Sequence, residues 1–164
     1  MEAMVELSPS DGEAWVELSE LHASLGDSAM LEVLKRGELS LKAQGTSKIA
    51  LARVMLARGQ VETRVDKAEA ITTFHSMIHV LNMVDGTSVS SRERLLASSW
   101  AALAKILSES GDGEDSSLVY QAWNSSFSYS RDVTHMHYAA QGLKEGRGVD
   151  GGLSQYSPCP LLPT

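Results

Sequence analysis

Apolar residues recur every three or four positions along most of this chain, and no run of strand length alternates apolar with polar. That rhythm predicts a series of amphipathic helices. Near the start, Ser8-Pro9-Ser10-Asp11 offers a hydroxyl cap, a proline at the first helical position and a carboxylate three residues after the cap. Trp15, Leu18, His22 and Leu25 then form one stripe, widened by Ala14 and Leu21, and Gly26-Asp27 ends it. A second helix is expected over 28–43 with Leu31, Leu34 and Leu41 inward, and a third over 46–58. The third turns Ile49, Leu51, Ala52, Met55 and Leu56 toward its neighbours and stops at Gly59. A fourth, over 66–84, buries Ile71, Phe74, Ile78 and Leu81 and ends at Asp85-Gly86.

Ser90-Ser91-Arg92-Glu93 reads as a capping box, and the helix it opens carries Leu96, Trp100, Leu103 and Leu107 before Gly111-Asp112-Gly113. Helices over 116–128 and 132–144 bring the expected number to about seven. All four prolines lie outside 10–157, as consecutive helices require, since an internal proline costs about 3 kcal/mol. The fold expected is all-α, with a lead-in at 1–9, a helical domain at 10–145 and a disordered tail rich in Gly, Pro and Ser at 146–164.

The stretch WVELSELHASLGD (15–27) returns in outline as WAALAKILSESGD (100–112), and Lys48, Leu51, Ala52, Met55, Gly59 and Gln60 make a weaker copy between them. The shared frame is W-x-x-L-[SA]-x-x-[HL]-x-x-x-G-D. It resembles the first helix and turn of a tetratricopeptide repeat, which places Trp at position four, Leu at seven, a small residue at eight and Gly at fifteen. The large residue and Leu fill the space between paired helices, and the small residue allows close approach. The second helices depart from that family. Ala70 and Phe74 supply its Ala and aromatic only after about six extra residues, Leu118 and Ala122 substitute loosely, and Leu31 and Lys35 do not fit. The turn glycines are 33 and 52 residues apart. The resemblance therefore implies antiparallel hairpins stacked as a short, irregular TPR-like α-solenoid, while an unrelated helical bundle would carry the same stripes as ordinary core.

The phrases ALARVMLARGQ, SSWAALAKIL and VYQAWNSSF are also similar to the FAT region of phosphatidylinositol-3-kinase-related kinases, a helical solenoid that supports a kinase domain. Nothing in the chain resembles that kinase's catalytic loop or its Asp-Phe-Gly. The two resemblances imply a non-catalytic protein-interaction scaffold, or alternatively a piece of such a solenoid without the active site. In the second case bare terminal repeats should expose apolar faces and self-associate.

The net charge is −7 at 164 residues, and its distribution is uneven. Residues 1–34 hold eight acids and no Lys or Arg, and 35–67 hold eight bases against three acids. The basic third, Lys35, Arg36, Lys42, Lys48, Arg53, Arg58, Arg64 and Lys67, contains no aromatic residue to stack a base, which with a pI near 5.2 argues against nucleic acid. A protein or peptide is the better partner. The positions that hold a carboxylate in tetratricopeptide clamps are Glu13, Val16 and Glu20 in the first unit and Ser98, Ala101 and Lys105 in the last, so that clamp is absent. Glu13, Glu17, Glu20, Arg53 and Lys105 are the candidate protein-binding residues, with an acidic first helix suited to a basic or helical peptide.

No catalytic residue, cofactor site or metal site is expected. His75 and His79 share the i, i+4 spacing of zinc ligands but lack a third ligand and a neighbouring Glu, while His135 and His137 point to different faces of a helix. GQVETR, GDGEDSS and GLKEGRG lack the Gly-Lys-Ser/Thr ending of a phosphate loop. Cys159, the single cysteine, has no fixed histidine to activate it. Asn124-Ser125-Ser126 matches a glycosylation acceptor by coincidence. With an acidic N-terminus and no apolar run of ~20 residues, the chain is expected to be no membrane protein and to be cytoplasmic or nuclear.

Overall fold

A computed structural model of the chain describes residues 9–25, 29–45, 47–84, 89–109 and 116–130. These form six helices and, among the described residues, no strand: α1 (Gly12–Ser24), α2 (Met30–Ala43), α3 (Lys48–Val65), α4 (Lys67–Asn82), α5 (Val89–Glu109) and α6 (Ser116–Tyr129). The all-α expectation holds. The helix expected over 132–144, the lead-in at 1–8 and the tail at 146–164 lie outside the described residues.

Helix α1 is capped by Asp11, whose carboxylate accepts from the Glu13 amide at 3.0 Å. Pro9 therefore precedes the helix, and its carbonyl takes two other donors, the Trp15 indole Nε1 at 3.1 Å and the Ser40 hydroxyl at 3.4 Å. This places the buried Trp15 ring and anchors the approach segment on α2. The ring itself lies on Gly37 of α2, where a Cβ would come within 2.8 Å of Trp15 Cγ. The stripe of α1 is shorter than its spacing suggests. The helix ends at Ser24, so Leu25 is exposed, and so is Leu21.

Gly59 does not stop α3, which runs six residues beyond it to Val65. The Phe74 ring fills the space a side chain would need, 2.7 Å from an added Cβ, so this glycine is selected by packing. The reversal falls at Asp66, a single extended residue (φ −147°, ψ 102°) that ends α3 and caps α4 through bonds to the Ala68 and Glu69 amides. Ser90 also differs from expectation. It lies inside α5, which already includes Val89, so Ser90-Ser91-Arg92-Glu93 is not the cap.

Consecutive helices pack on one another, and α1 packs on α3 and α3 on α5 as well. The odd-numbered helices thus form one layer. Gly12 lies against Ala50, a packing only a side-chain-free residue permits. One core cluster runs through α1 to α5, including Trp15, Leu18, Leu34, Met55, Phe74, Leu81, Leu96 and Leu103. A smaller one, Ala104, Ala122 and Trp123, joins α5 to α6. Trp100 is half-buried and touches both clusters. The Leu and small residue of the repeated frame are buried in every odd helix: Leu18 and Ser19, Leu51 and Ala52, Leu103 and Ala104.

Candidate functional site: an open face and the ion-pair network behind it

Each of the three odd helices carries one regular stripe of exposed and half-buried positions. In α1 they are Glu13, Glu17, Glu20 and Ser24, spaced by four, three and four residues along one helix face. In α3 the same spacing gives Arg53, half-buried Ala57, Gln60 and Arg64, and in α5 it gives Arg94, Ser98, Ala101, Lys105 and Ser108, with Ser98 and Ala101 half-buried. Because the odd helices form one layer, these stripes lie side by side. Arg53 Nη1 pairs with Glu13 Oε2 across the α1–α3 seam. All five sequence-derived candidates, Glu13, Glu17, Glu20, Arg53 and Lys105, are exposed on this face. Glu17 and Glu20 form its acidic edge, and Arg94 and Lys105 its basic edge.

Behind the layer, a polar network that the sequence reading did not single out joins α2, α3 and α4. Arg58 donates from Nε to Glu62 at 2.7 Å, from Nη1 to Glu38 at 2.8 Å and from Nη2 to Glu69 at 2.9 Å. Lys42 reaches the other Glu38 oxygen at 2.5 Å, and Thr73 donates to the second Glu62 oxygen at 2.6 Å. Glu62 is 1% exposed and Arg58 16%. Buried charge is tolerable only with such complete pairing. Among the described residues, no buried side-chain N or O lacks a partner. Burial alone would push the Glu38 carboxyl up, but the bonds and charge of Lys42 and Arg58 outweigh it and hold it below its ordinary value. Burial would likewise lower Arg58, and Glu38 and Glu62 hold it above its usual value instead. The i, i+4 pairs Glu38/Lys42 and Arg58/Glu62 were the available signal. Nothing in their spacing revealed that they would meet.

The basic third of the chain is largely committed to internal partners. Lys42, Arg53 and Arg58 pair with the acids above, Lys67 with Glu109 at 3.3 Å, and Lys48 donates to the Met83 carbonyl. The end-to-end charge asymmetry of the sequence is thus partly neutralised by folding, Glu13 of the acidic third meeting Arg53 of the basic one.

His75 and His79 are both exposed on α4, and among the described residues no group of three or more His, Cys, Asp and Glu is placed to hold a metal ion. His135, His137 and Cys159 lie outside the described residues. The Asn124-Ser125-Ser126 triplet is helical, with Ser126 buried and donating to the Ala97 carbonyl. No helix among the described residues is long and apolar enough to cross a membrane. Compared with known families, with characterised proteins and with solved structures, the chain finds no match.

Proposed function

We propose that this chain is a non-catalytic protein-interaction scaffold of TPR-like helical hairpins, with the open face of α1, α3 and α5 as its contact surface. The observation that carries the reading is the gathering of Glu13, Glu17, Glu20, Arg53 and Lys105 on one exposed face of a single helical layer. The buried Leu-small pair in each odd helix supports a repeated unit, because the same two positions of the frame are buried three times. The run of Gly59 inside α3 weakens the middle copy of the frame. A photo-crosslinker placed in turn at Glu20, Lys105 and His75 tests the reading. Adducts with other polypeptides at the first two positions and none at His75, on α4, are expected; equal yields from all three would refute it.

A second reading, a piece of a longer FAT-type solenoid, draws on a different observation. Leu118 and Tyr129 are 46% and 36% exposed, and their 11-residue spacing puts them on one side of α6. Stacked repeats cover such a stripe with the next helix. Under this reading, Leu118→Asp lowers binding of a hydrophobic dye and leaves the melting temperature within about 2 °C, as surface changes do.

A further inference from the structure

We infer that the open face binds a second copy of this chain through a two-fold arrangement that lays α1 of each copy over α5 of the other. The inference rests on the interaction-surface reading above and adds the partner to it. Helix α4 runs antiparallel to α3, as Gly59 against Phe74 shows, and antiparallel to α5, as the Arg92 bond to the Leu81 carbonyl and the Lys67–Glu109 pair show. Hence α3 and α5 are parallel. The Gly12–Ala50 contact and the Glu13–Arg53 pair set α1 beside α3 with their N-terminal ends together. Carrying the register across α4 puts Arg94 near the level of Arg53 and Lys105 near that of Arg64, to within about one helical turn.

The resulting face has Glu17 and Glu20 along one edge and Arg94 and Lys105 along the other, with the α3 stripe of Arg53, half-buried Ala57, Gln60 and Arg64 between. A uniformly acidic or uniformly basic partner gains at one edge and is repelled at the opposite one. A second copy turned about an axis parallel to α3 satisfies both edges, and does so twice, because a two-fold contact is self-complementary. Parallel helices keep their levels under that rotation, so Glu20 of one copy comes within about a turn and a half of Lys105 of the other, and Glu17 lies between the levels of Arg94 and Lys105. Arg64 faces its own counterpart near the axis. Exposed ion pairs are individually weak and screened by salt, so the association is salt-sensitive and concentration-dependent.

The test is sedimentation of the full chain and of two charge-reversed variants, Glu17→Lys with Glu20→Lys and Arg94→Glu with Lys105→Glu, with circular dichroism to confirm that each is folded. The unsubstituted chain is expected to dimerise at low ionic strength, with a dissociation constant that rises about tenfold or more between roughly 50 and 500 mM salt. Each variant alone, with both edges of one sign, is expected to stay monomeric, and an equimolar mixture of the two to recover the dimer. An unsubstituted chain that stays monomeric at low salt overturns the inference, as does a mixture that recovers nothing. If the chain is monomeric and crosslinks from Glu20 and Lys105 still capture other polypeptides, the interaction-surface reading survives without the self-association; if both fail, neither stands.

Discussion

Two glycines sit in helix interiors where propensity alone disfavours them by about 1 kcal/mol relative to alanine. Gly37 and Gly59 are there because Trp15 and Phe74 lie directly on their α-carbons. At Gly37 the obstruction is Trp15 Cβ and Cγ, close to the backbone and unable to swing away. Gly37→Ala should therefore destabilise the fold by about 1–3 kcal/mol in a urea titration, the usual range for overpacking, despite the gain in helix propensity. The half-buried Arg58 gives a second prediction. Arg58→Ala leaves the buried Glu62 carboxylate with the Thr73 hydroxyl but no cation, and Glu38 with Lys42 alone, and the loss should be about 3–5 kcal/mol. Arg58→Lys should recover only part of it, because one ammonium cannot span three carboxylates as a planar fork does. A third concerns pH. The folded-state carboxyl of Glu38 lies below its unfolded value, so its contribution is fully present above the ordinary carboxylate range and is lost as pH falls through the lowered folded value. Glu38→Gln should accordingly show a smaller drop in urea midpoint between neutral and strongly acidic pH than the unsubstituted chain does.

At the scale of elements, apolar periodicity located every described helix, because each must bury one side against a neighbour and the resulting 3-4 spacing is local. The ends were less legible. Asp11 caps α1 although Ser8-Pro9 carries the stronger local signature, and Ser90 is helical although it heads a capping-box pattern. Caps are alternatives within a few residues, and tertiary contacts choose among them. Here the choice at α1 frees the Pro9 carbonyl to hold Trp15 and Ser40. Gly59 departs from its expected role for a related reason, since a glycine that ends a helix and a glycine that seats a ring look the same in sequence. The open face was readable because its residues recur in a fixed frame, whereas the Arg58 network was not, because its members come from three helices. Asp66 can be tested directly. Asp66→Ala removes two bonds to the first turn of α4 and should cost about 1 kcal/mol, as measured by thermal or chemical unfolding.

Across the molecule the helices are unequally supported. Helix α3 is packed by α1, α2, α4 and α5, whereas α6 is held by α5 through the small cluster of Ala104, Ala122 and Trp123. Opening free energies should follow that order. Amide hydrogen exchange is expected to be slowest around Leu51 to Met55 and fastest in α6; equal protection would show a more evenly cooperative unit. The layered packing also explains how an acidic chain keeps a concentrated basic third: folding pairs much of that charge with acids on neighbouring helices and leaves a divided surface outside.

With one residue at Asp66 separating α3 from α4, the two helices can meet after almost no loop has been closed. That makes them the cheapest long contact for the unfolded chain to form, and a natural seed on which the flanking helices assemble. The joint also has no slack. A single inserted amino acid would turn every later side chain of α4 by about 100° about its axis, moving Phe74 off its glycine and Thr73 off its carboxylate together.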